Sequence, residues 1–263
     1  MLSLAFLLQP FASAASGQPR KAIPVDRLQA TRLAPDARAN ETMDRMPSTP
    51  YRPPANCGLD VLHLSDQLIV VNKPSGLLSV PGRGEGKGDC LSRRVQAEYP
   101  EALIVHRLDL GTSGIVVMAR GADAHRELSA MFEERRVSKR YQALVDGCWT
   151  TAAEGEIALP MTVKGPKQKV DHASGRPSLT RYRVIDIDTV RAVSRLELEP
   201  VTGRSHQLRV HMEAMGHPII GDDFYGTPAS CAKAERLMLH ACRIELCEPG
   251  GGNPLCVECP APF

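Results

Sequence analysis

Short apolar runs separated by polar turns dominate the chain after its first quarter. Residues 66–73 contain a continuous apolar run that ends at a proline, which predicts a buried strand followed by a loop. In residues 104–120 two apolar runs flank a polar turn that contains glycine, and this pattern predicts strand, loop and strand. Residues 141–145 and the alternating residues 195–199 predict two further strands.

Three stretches have the 3.6-residue apolar period of a helix. Asp89 is expected to cap the first, which Pro100 stops, and Asp123 opens the second. The third covers residues 207–215, with Gly216 in the position beyond its C-terminal end. Because these helices do not alternate with strands in βαβ order, the pattern predicts an α+β fold with a mixed sheet.

Residues 1–56 differ from everything after them, with repeated X-Pro steps, scattered arginines and no sustained period. Such a segment buries too little apolar surface to order itself, so we expect disorder there and one globular domain over residues 57–263. Three origins stay open for the start, in decreasing order of preference. They are a dispensable tail or a start assigned upstream of Met43 or Met46, an organelle transit peptide within residues 1–45, and a secretory signal.

Composition narrows the class of protein. Of the 263 residues, 43% are hydrophobic and 24% are charged, which excludes a wholly disordered chain. No apolar stretch approaches the roughly 18 residues of a membrane-spanning helix. The 32 Lys and Arg nearly balance the 30 Asp and Glu, which argues against binding of nucleic acid by bulk charge. Aromatic residues, at 4%, are too few for a surface on which several bases stack.

The eight cysteines are too few for a secreted disulfide scaffold in a chain of this length, and reduced thiols are the simpler expectation. Cys256 and Cys259 form a CxxC, with Cys242 and Cys247 upstream at a wider spacing. A zinc site would need all four on suitable turns, so we predict no metal.

Local charge departs from the overall balance in residues 161–183, where a single acid, Asp171, faces six cations. They are Lys164, Lys167, Lys169, Arg176, Arg181 and Arg183. Glycines and prolines give this stretch the character of a loop. A basic loop is usually a solvated surface, but beside a catalytic cleft it becomes a phosphate-binding arm. Residues 135–140 add four more cations.

A compact polar loop, residues 106–109, lies between two predicted apolar strands. One interpretation is structural, with Arg107 and Asp109 forming a salt bridge under a turn, since polar groups pinned between buried strands are costly unless paired. The other is functional, with Asp109 as a reactive carboxylate that a cationic partner keeps ionised, acting as a nucleophile or general base.

A second polar cluster, residues 202–209, precedes the third helix and also allows two interpretations. Thr202 and Ser205 are good helix caps, so ordinary capping explains part of it. Anions are favoured at a helix N-terminus, and phosphate fits the cationic and polar residues gathered there. These are Arg204, His206, Gln207 and Arg209.

Tyr141 follows the basic cluster directly. A tyrosine at the start of a strand is most often half-buried with its hydroxyl in water. Beside cations, the same ring could stack on one flipped base.

Six segments together resemble the RluA-type pseudouridine synthases, in consistent order from about residue 59 to the end of the chain. They are VVNKPSGLLSVPGRG at 70–84, EYPEALIVHRLDLGTSGIVVMAR at 98–120, KRYQALVDG at 139–147, GPKQKVDHASGRPSLTRYRV at 165–184, TGRSHQLRVHMEAMGHPIIGDDFYG at 202–226 and RLMLHA at 236–241. The resemblance implies the pseudouridine synthase fold, a mixed and mostly antiparallel bent sheet flanked by helices and loops, with a central catalytic cleft.

The resemblance also implies roles for individual residues. Asp109 matches the catalytic aspartate of the family, and Arg209 matches the arginine that pairs with this carboxylate. Tyr141 matches the tyrosine that packs against the target ring and helps remove the C5 proton, and Arg107 an arginine near the position that the flipped base vacates. Five positions match residues that line the cleft and bind substrate: Lys73, His106, Arg204, His206 and Gln207.

The family isomerises uridine in RNA without net redox change, so we expect no cofactor and no metal. Residues 1–56 are too short to supply the S4 RNA-binding domain of many members. The form without S4, with SVPGRG and PKQKV, resembles members that act on the tRNA anticodon stem-loop and a similar stem-loop of 23S rRNA. We expect a cytoplasmic monomer without membrane contact. The alternatives are a non-catalytic RNA-binding or RNA-folding protein, a synthase restricted to one rRNA or tRNA site, and a nucleoside hydrolase with paired carboxylates.

Overall fold

A computed structural model describes residues 51–164 and 167–263. Of residues 1–56, for which we expect disorder, residues 1–50 lie outside this range. Within it the strands are β1 Val61–Leu64, β2 Leu68–Lys73, β3 Ala102–Ile104, β4 Ser113–Arg120, β5 Ser138–Asp146, β6 Glu154–Ala158, β7 Met161–Lys164, β8 Lys167–Val170, β9 Leu179–Asp188, β10 Val193–Pro200, β11 Leu239–Cys247 and β12 Pro254–Glu258. The helices are α1 Leu91–Glu98, α2 Ala122–Glu133, α3 Gln207–Ala214 and the short α4 Pro228–Cys231.

A ten-stranded mixed sheet organises the described residues, which confirms the predicted α+β class. Its strand order is β1-β2-β4-β11-β5-β10-β9-β6, with β12 on β11 and β3 on β4. The β4–β11 pair is parallel, whereas the other strand pairs of this sheet are antiparallel. The sheet thus divides into a half around β2 and β4 and a half around β5 and β10, joined through β11.

The apolar runs become the interior of this sheet. Leu68 to Val71 of β2 and Ser113 to Ala119 of β4 are all buried, as expected of strands covered on both faces. One apolar cluster packs α1 and α2 against this half, and a second packs α3 against β5 and β10. Tyr141 of β5 packs against both clusters, so it lies where the two halves meet.

Gly114 permits the close approach of β4 to β11. Its φ is +108°, and a Cβ there would lie 2.3 Å from the carbonyl oxygen of Ala241. Because no other residue fits this space with this φ, the glycine fixes how β4 follows the polar loop of residues 106–109.

The predicted helices are present, with one correction at a helix start. The predicted Asp89 cap is wrong, because Cys90 holds the N-cap position without a side-chain cap. Asp89 instead accepts hydrogen bonds from Arg94 at 2.8 Å on each carboxylate oxygen. The second helix begins at Ala122, one residue before Asp123, and Gly216 follows α3 with a φ of +80°.

The loop predicted for residues 161–183 is wrong, because it contains a β-hairpin. β7 and β8 pair antiparallel, with Met161 opposite Val170 and Val163 opposite Gln168, and β9 begins at Leu179. The interspersed lysines make the two-residue alternation of these strands hard to recognise in the sequence. The basic residues of β8 therefore lie on a paired strand and not on an irregular loop.

The packed region begins earlier than the predicted boundary at residue 57. The Tyr51 hydroxyl donates to the carbonyl of Asp89 at 2.9 Å and accepts from the Leu78 amide at 3.1 Å. Arg94 donates to the carbonyl of Pro54 at 2.6 Å. Among the described residues, no helix is long and apolar enough to span a membrane.

Candidate active site

The segment that follows β2 forms hydrogen bonds with the backbone of the loop that carries Asp109. Ser79 Oγ donates to the Leu108 carbonyl at 2.7 Å and accepts from the Leu108 amide at 3.1 Å. Ser75 Oγ donates to the Gly111 carbonyl at 2.7 Å. Asp109 therefore projects from a loop whose backbone is fixed on both sides, and its side chain remains 28% exposed.

Lys73 belongs to this support and not to the cleft surface. Its side chain is fully buried, and Nζ donates to the carbonyls of Leu77 at 2.7 Å, Pro74 at 3.0 Å and Leu110 at 3.3 Å. Burial lowers the pKa of Lys73 to about 7, although the nearby charge of Asp109 acts in the opposite direction. The expected cleft-lining position of Lys73 is therefore corrected, since its ammonium is enclosed by backbone carbonyls.

Arg209, in the first turn of α3, contacts Asp109 as expected, but its closest partner is another carboxylate. Nη1 lies 3.4 Å from Asp109 Oδ2, whereas Nε and Nη2 lie 2.8 and 2.7 Å from the two oxygens of Asp222. Asp223 is a third partner, at 3.4 Å. Arg209 is thus a buried cation shared by three carboxylates, of which Asp109 is the one that faces the cleft.

Asp222 combines a turn with an ion pair. Its Oδ1 accepts the backbone amides of Phe224 and Tyr225 at 2.9 and 3.0 Å, as the sequence GDD suggests for a turn. Burial raises the pKa of Asp222, but the Arg209 hydrogen bonds and charge outweigh it and keep the pKa below its usual value. Sequence reasoning missed the Arg209 contact, for which the only signal was a carboxylate pair after a glycine.

His206 lies beside Asp109 on the helix side of the cleft. It is the N-cap residue of α3 and has a left-handed backbone, with φ of +56°. Its Nε2 faces Asp109 Oδ1 at 3.8 Å, and its Nδ1 lies 2.7 Å from the hydroxyl oxygen of Tyr225. Burial lowers the pKa of His206, although Asp109 acts in the opposite direction.

Tyr141 lines the cleft on the strand side. Burial raises its pKa, and the nearby Asp109 adds to the shift, so the phenol stays protonated near neutral pH. The structure therefore brings Asp109, Arg209 and Tyr141 together from three separate elements.

Gln207 and His106 line the same cleft, but their polar atoms are already engaged. Gln207 is buried, with Oε1 accepting from the Thr202 hydroxyl at 2.7 Å and Nε2 donating to the Leu179 carbonyl at 2.9 Å. His106 stacks on Phe132 and accepts the Val117 amide on Nε2, and burial lowers its pKa to about 3. These bonds identify both as supports of the cleft wall.

Three cations line the cleft with no side-chain hydrogen bond or ion pair to any described residue: Arg107, Lys139 and Arg204. Arg107 is exposed, and Nε of Arg204 is buried without a partner within the described range. Lys139 lies over the Phe132 ring at 5.6 Å, and burial lowers its pKa. Of the four cations in residues 135–140, Lys139 is the one that lines this cleft.

The cleft between these walls has a volume of about 500 Å³ and opens to solvent. A smaller cavity of about 330 Å³ lies beside it, between β8 and the turn that contains Phe224 and Tyr225. The described residues contain no group of three or more His, Cys, Asp or Glu placed to hold a metal. All eight cysteines lie in the described residues, and each is a free thiol.

The chain is similar to known RNA pseudouridine synthases. A model of the RNA pseudouridylate synthase family matches residues 67–214. The chain is 47% identical over 216 residues to a dual-specificity RNA pseudouridine synthase RluA of Escherichia coli strain K12, covering 81% of this chain and 98% of that protein. It is 48% identical over 206 residues to the protein of that name from Yersinia pestis, covering 77% and 99%.

Two solved structures share the fold. Human RNA pseudouridylate synthase domain containing 1 superposes with a TM-score of 0.68 at 30% identity, covering 81% of this chain and 87% of the human chain. Human RNA pseudouridylate synthase domain containing 4 does so with a TM-score of 0.62 at 24% identity, covering 77% and 88%.

Proposed function

The chain belongs to the RNA pseudouridylate synthase family, and on this premise we propose that it isomerises uridines in two classes of structured RNA. The classes are the tRNA anticodon stem-loop and a similar stem-loop of 23S rRNA. Two observations support the proposal: relatives at 47–48% identity carry the name dual-specificity, and the SVPGRG and PKQKV segments resemble those of members without an S4 domain.

The reactive group is the Asp109 carboxylate. Arg209 Nη1 lies 3.4 Å from this carboxylate, and the supported loop presents the carboxylate to the cleft. The reaction breaks the bond between N1 of uracil and C1′ of ribose, rotates the ring and joins C5 to C1′. C5 loses its proton and N1 gains one, so the product is an isomer of the substrate. One carboxylate serves either route, by attack on C1′ or by removal of the C2′ proton.

Tyr141 packs against the rotating ring. Because the phenol is protonated, it accepts the C5 proton on its oxygen only as its own proton leaves for solvent or the carboxylate. Tyr141 packs against the apolar clusters of both halves of the sheet and lines the cleft.

RNA binds through phosphates around the cleft, and one uridine is flipped into it. Three cations line the cleft without an anionic partner from the described residues: Arg107, Lys139 and Arg204. They are therefore suited to bind RNA phosphates or to occupy the position that the flipped uridine vacates in the RNA. The exposed Lys167 and Lys169 on β8 extend this surface. Local cations therefore supply the attraction that a net charge of +2 does not.

The single observation that carries the enzymatic part of the proposal is the convergence of Asp109, Tyr141 and Arg209 on one cleft. The hydrolase alternative needs a second carboxylate that activates water. Asp222 does not suit that role, because it is fully buried and bonded to Arg209 and two backbone amides.

The test compares the full chain with Asp109→Asn on an anticodon stem-loop and on a 23S rRNA fragment. Pseudouridine is mapped by carbodiimide-dependent primer-extension stops, and free uracil is measured in parallel. Asp186→Asn, at an exposed position, is the matched control. We expect the wild type and the control to modify both RNAs. Asp109→Asn should modify neither while binding them within about tenfold, because affinity rests on phosphate contacts.

Each other outcome overturns a defined part of the proposal. Binding of both RNAs by the wild type without modification overturns the enzymatic function on these substrates. Modification of one RNA alone favours the synthase restricted to a single site. Release of free uracil favours the hydrolase, and an active Asp109→Asn removes Asp109 from catalysis.

A further inference from the structure

The β7–β8 hairpin is connected to the active site through Tyr225. The backbone amide of Gln168, in β8, donates to the Tyr225 hydroxyl oxygen at 3.1 Å. The same oxygen lies 2.7 Å from Nδ1 of His206, whose Nε2 faces Asp109 at 3.8 Å. Three contacts thus link a backbone amide of the hairpin to the reactive carboxylate.

Hydrogen-bond donors and acceptors along this chain determine which ring nitrogen carries the proton. The Gln168 amide can only donate, so it occupies the acceptor side of the Tyr225 oxygen. The phenol proton then points to His206 Nδ1, its acceptor within the described residues. A neutral imidazole that accepts on Nδ1 carries its proton on Nε2, the nitrogen that faces Asp109.

The opposite tautomer of His206, with the proton on Nδ1, is disfavoured at both ring nitrogens. It would leave the phenol proton of Tyr225 without an acceptor among the described residues, and it would aim the Nε2 lone pair at a carboxylate. Burial lowers the pKa of His206, so the ring is neutral near pH 7 and its tautomer is a defined property. The charged groups that face it are Asp109, Arg209, Asp222 and Asp223.

The backbone and the neighbouring rings fix where the imidazole points. His206 adopts a left-handed φ of +56° at the start of α3, a conformation that a non-glycine residue holds only when its surroundings impose it. Phe224 and Tyr225 contact its edge, with ring centroids 5.8 and 5.6 Å away. Lys167 Nζ donates to the Phe224 carbonyl at 2.5 Å, which attaches the same turn to the hairpin.

We propose that Tyr225 is a positioning residue for the reaction, which holds His206 in the Nε2–H tautomer so that the imidazole donates toward the Asp109 carboxylate. Asp109 then has two orienting partners, Arg209 on one oxygen and His206 on the other. Gln168 fixes Tyr225, so the basic hairpin contributes to the geometry of the carboxylate as well as to RNA binding. This inference rests on the proposed function, in which Asp109 is the reactive group.

Two independent measurements test it. The first is the ¹⁵N spectrum of the histidine side chains in the full-length wild type at pH 7.5, with His206 assigned by its absence from His206→Asn. We expect the Nε2–H pattern. An Nδ1–H pattern in the folded wild type overturns the inference without any variant of Tyr225.

The second measurement compares Tyr225→Phe with Tyr182→Phe in steady-state and single-turnover assays. Tyr182 is buried, its hydroxyl contacts Thr151 at 3.5 Å, and it does not line the cleft, so it matches the change without touching the site. We expect Tyr225→Phe to lower kcat at least tenfold with KM within about twofold, and Tyr182→Phe to match the wild type. In Tyr225→Phe the His206 signals should shift toward Nδ1–H.

The results separate this inference from the proposed function. A kcat for Tyr225→Phe within twofold of wild type, with Asp109→Asn inactive, overturns the positioning role alone. A rise in KM without a fall in kcat would make Tyr225 an RNA contact and also overturns it. If Asp109→Asn retains activity, the proposed function fails instead.

Discussion

Asp222 holds Arg209 by two hydrogen bonds, one from Nε at 2.8 Å and one from Nη2 at 2.7 Å. The Asp222 side chain is fully buried and that of Arg209 is 6% exposed. This bidentate pair leaves Nη1 directed at Asp109. Asp222 therefore sets the direction in which the cation meets the reactive carboxylate.

Asp222→Asn should lose both stability and activity. The change leaves a buried guanidinium with weaker partners, and breaking a buried pair in this way costs about 3 kcal/mol. Urea unfolding measures the loss, and single-turnover rates should fall with it. Asp223→Asn is the matched control, because its carboxylate is 76% exposed and should contribute less than about 1 kcal/mol. Equal stability of the two variants would contradict the role assigned to Asp222.

The continuous apolar runs that became β2 and β4 could be predicted because both strands are buried on both faces and leave an unbroken signal. The helical period of α3 and the glycine beyond it gave a further correct element. The β7–β8 hairpin could not be recognised, because its strands are short and five of their eight residues are polar. Its pairing depends on packing against α3 and the Phe224 turn, which no local pattern reports.

The candidate site divides in the same way. Asp109 and Arg209, 100 residues apart, were matched through motifs, and the structure brings them within 3.4 Å. Lys73 and Gln207 lie within the same motifs, but whether such a residue contacts substrate or supports a loop depends on burial. The role of Asp222 was missed because its contact with Arg209 depends on how the chain folds back between α3 and the turn that contains Asp222, which no local sequence pattern reports.

Lys73→Met should lower kcat and leave RNA binding nearly unchanged. Its ammonium donates to the Leu110 carbonyl beside Asp109, and its loss leaves buried carbonyls unpaired at a cost of about 1–3 kcal/mol. The loop then holds Asp109 less firmly, so kcat falls while KM stays within about twofold. A tenfold rise in KM with kcat unchanged would restore the direct RNA contact expected from the sequence.

Gly114→Ala should be severely destabilising. A Cβ there would lie 2.3 Å from the Ala241 carbonyl oxygen, so β4 and β11 must separate. Gly121→Ala is the control, because Gly121 also has a positive φ, +84°, but no atom within 4 Å of an added Cβ. Gly121→Ala therefore carries the conformational cost alone, about 1–3 kcal/mol, because its φ of 84° with ψ of 165° is a conformation that glycine alone adopts readily. Thermal unfolding should rank Gly114→Ala well below it, and similar melting temperatures would contradict the close packing of these strands.

The free energy of unfolding should decrease on mild acidification, in part because His211 is buried in its neutral form. Burial lowers its pKa to about 4, although the Leu159 carbonyl acts in the opposite direction. Between pH 6.5 and 4 the unfolded chain takes up a proton there that the folded protein does not. The free energy of unfolding therefore falls with decreasing pH, by up to about 1.4 kcal/mol per pH unit.

His211→Gln should reduce this slope but not abolish it, because burial also lowers the pKa of His106, which adds to the same dependence. Urea unfolding at a series of pH values from 7.5 to 4.5 gives the slope for each protein. His172→Gln, at an exposed position, is the matched control and should keep the wild-type slope. An unchanged slope in His211→Gln would show that other groups cause the acid sensitivity.

Lys169 should contribute to RNA affinity through phosphate alone. It is exposed on β8 and lines the small cavity beside the cleft, so its charge is accessible to RNA phosphates near the active site. Each phosphate that a cation neutralises releases counterions, and the slope of log affinity against log salt changes by about 0.7–0.9 per contact. Lys169→Ala should reduce the slope by about that amount and leave kcat at saturating RNA unchanged.

Arg191→Ala is the matched control for this prediction. Arg191 lies in the turn between β9 and β10, at the opposite end of β10 from the cleft, so its removal should keep the wild-type slope. Binding measured from 50 to 200 mM salt decides the matter, because equal slopes in the two variants would place the RNA path away from the hairpin.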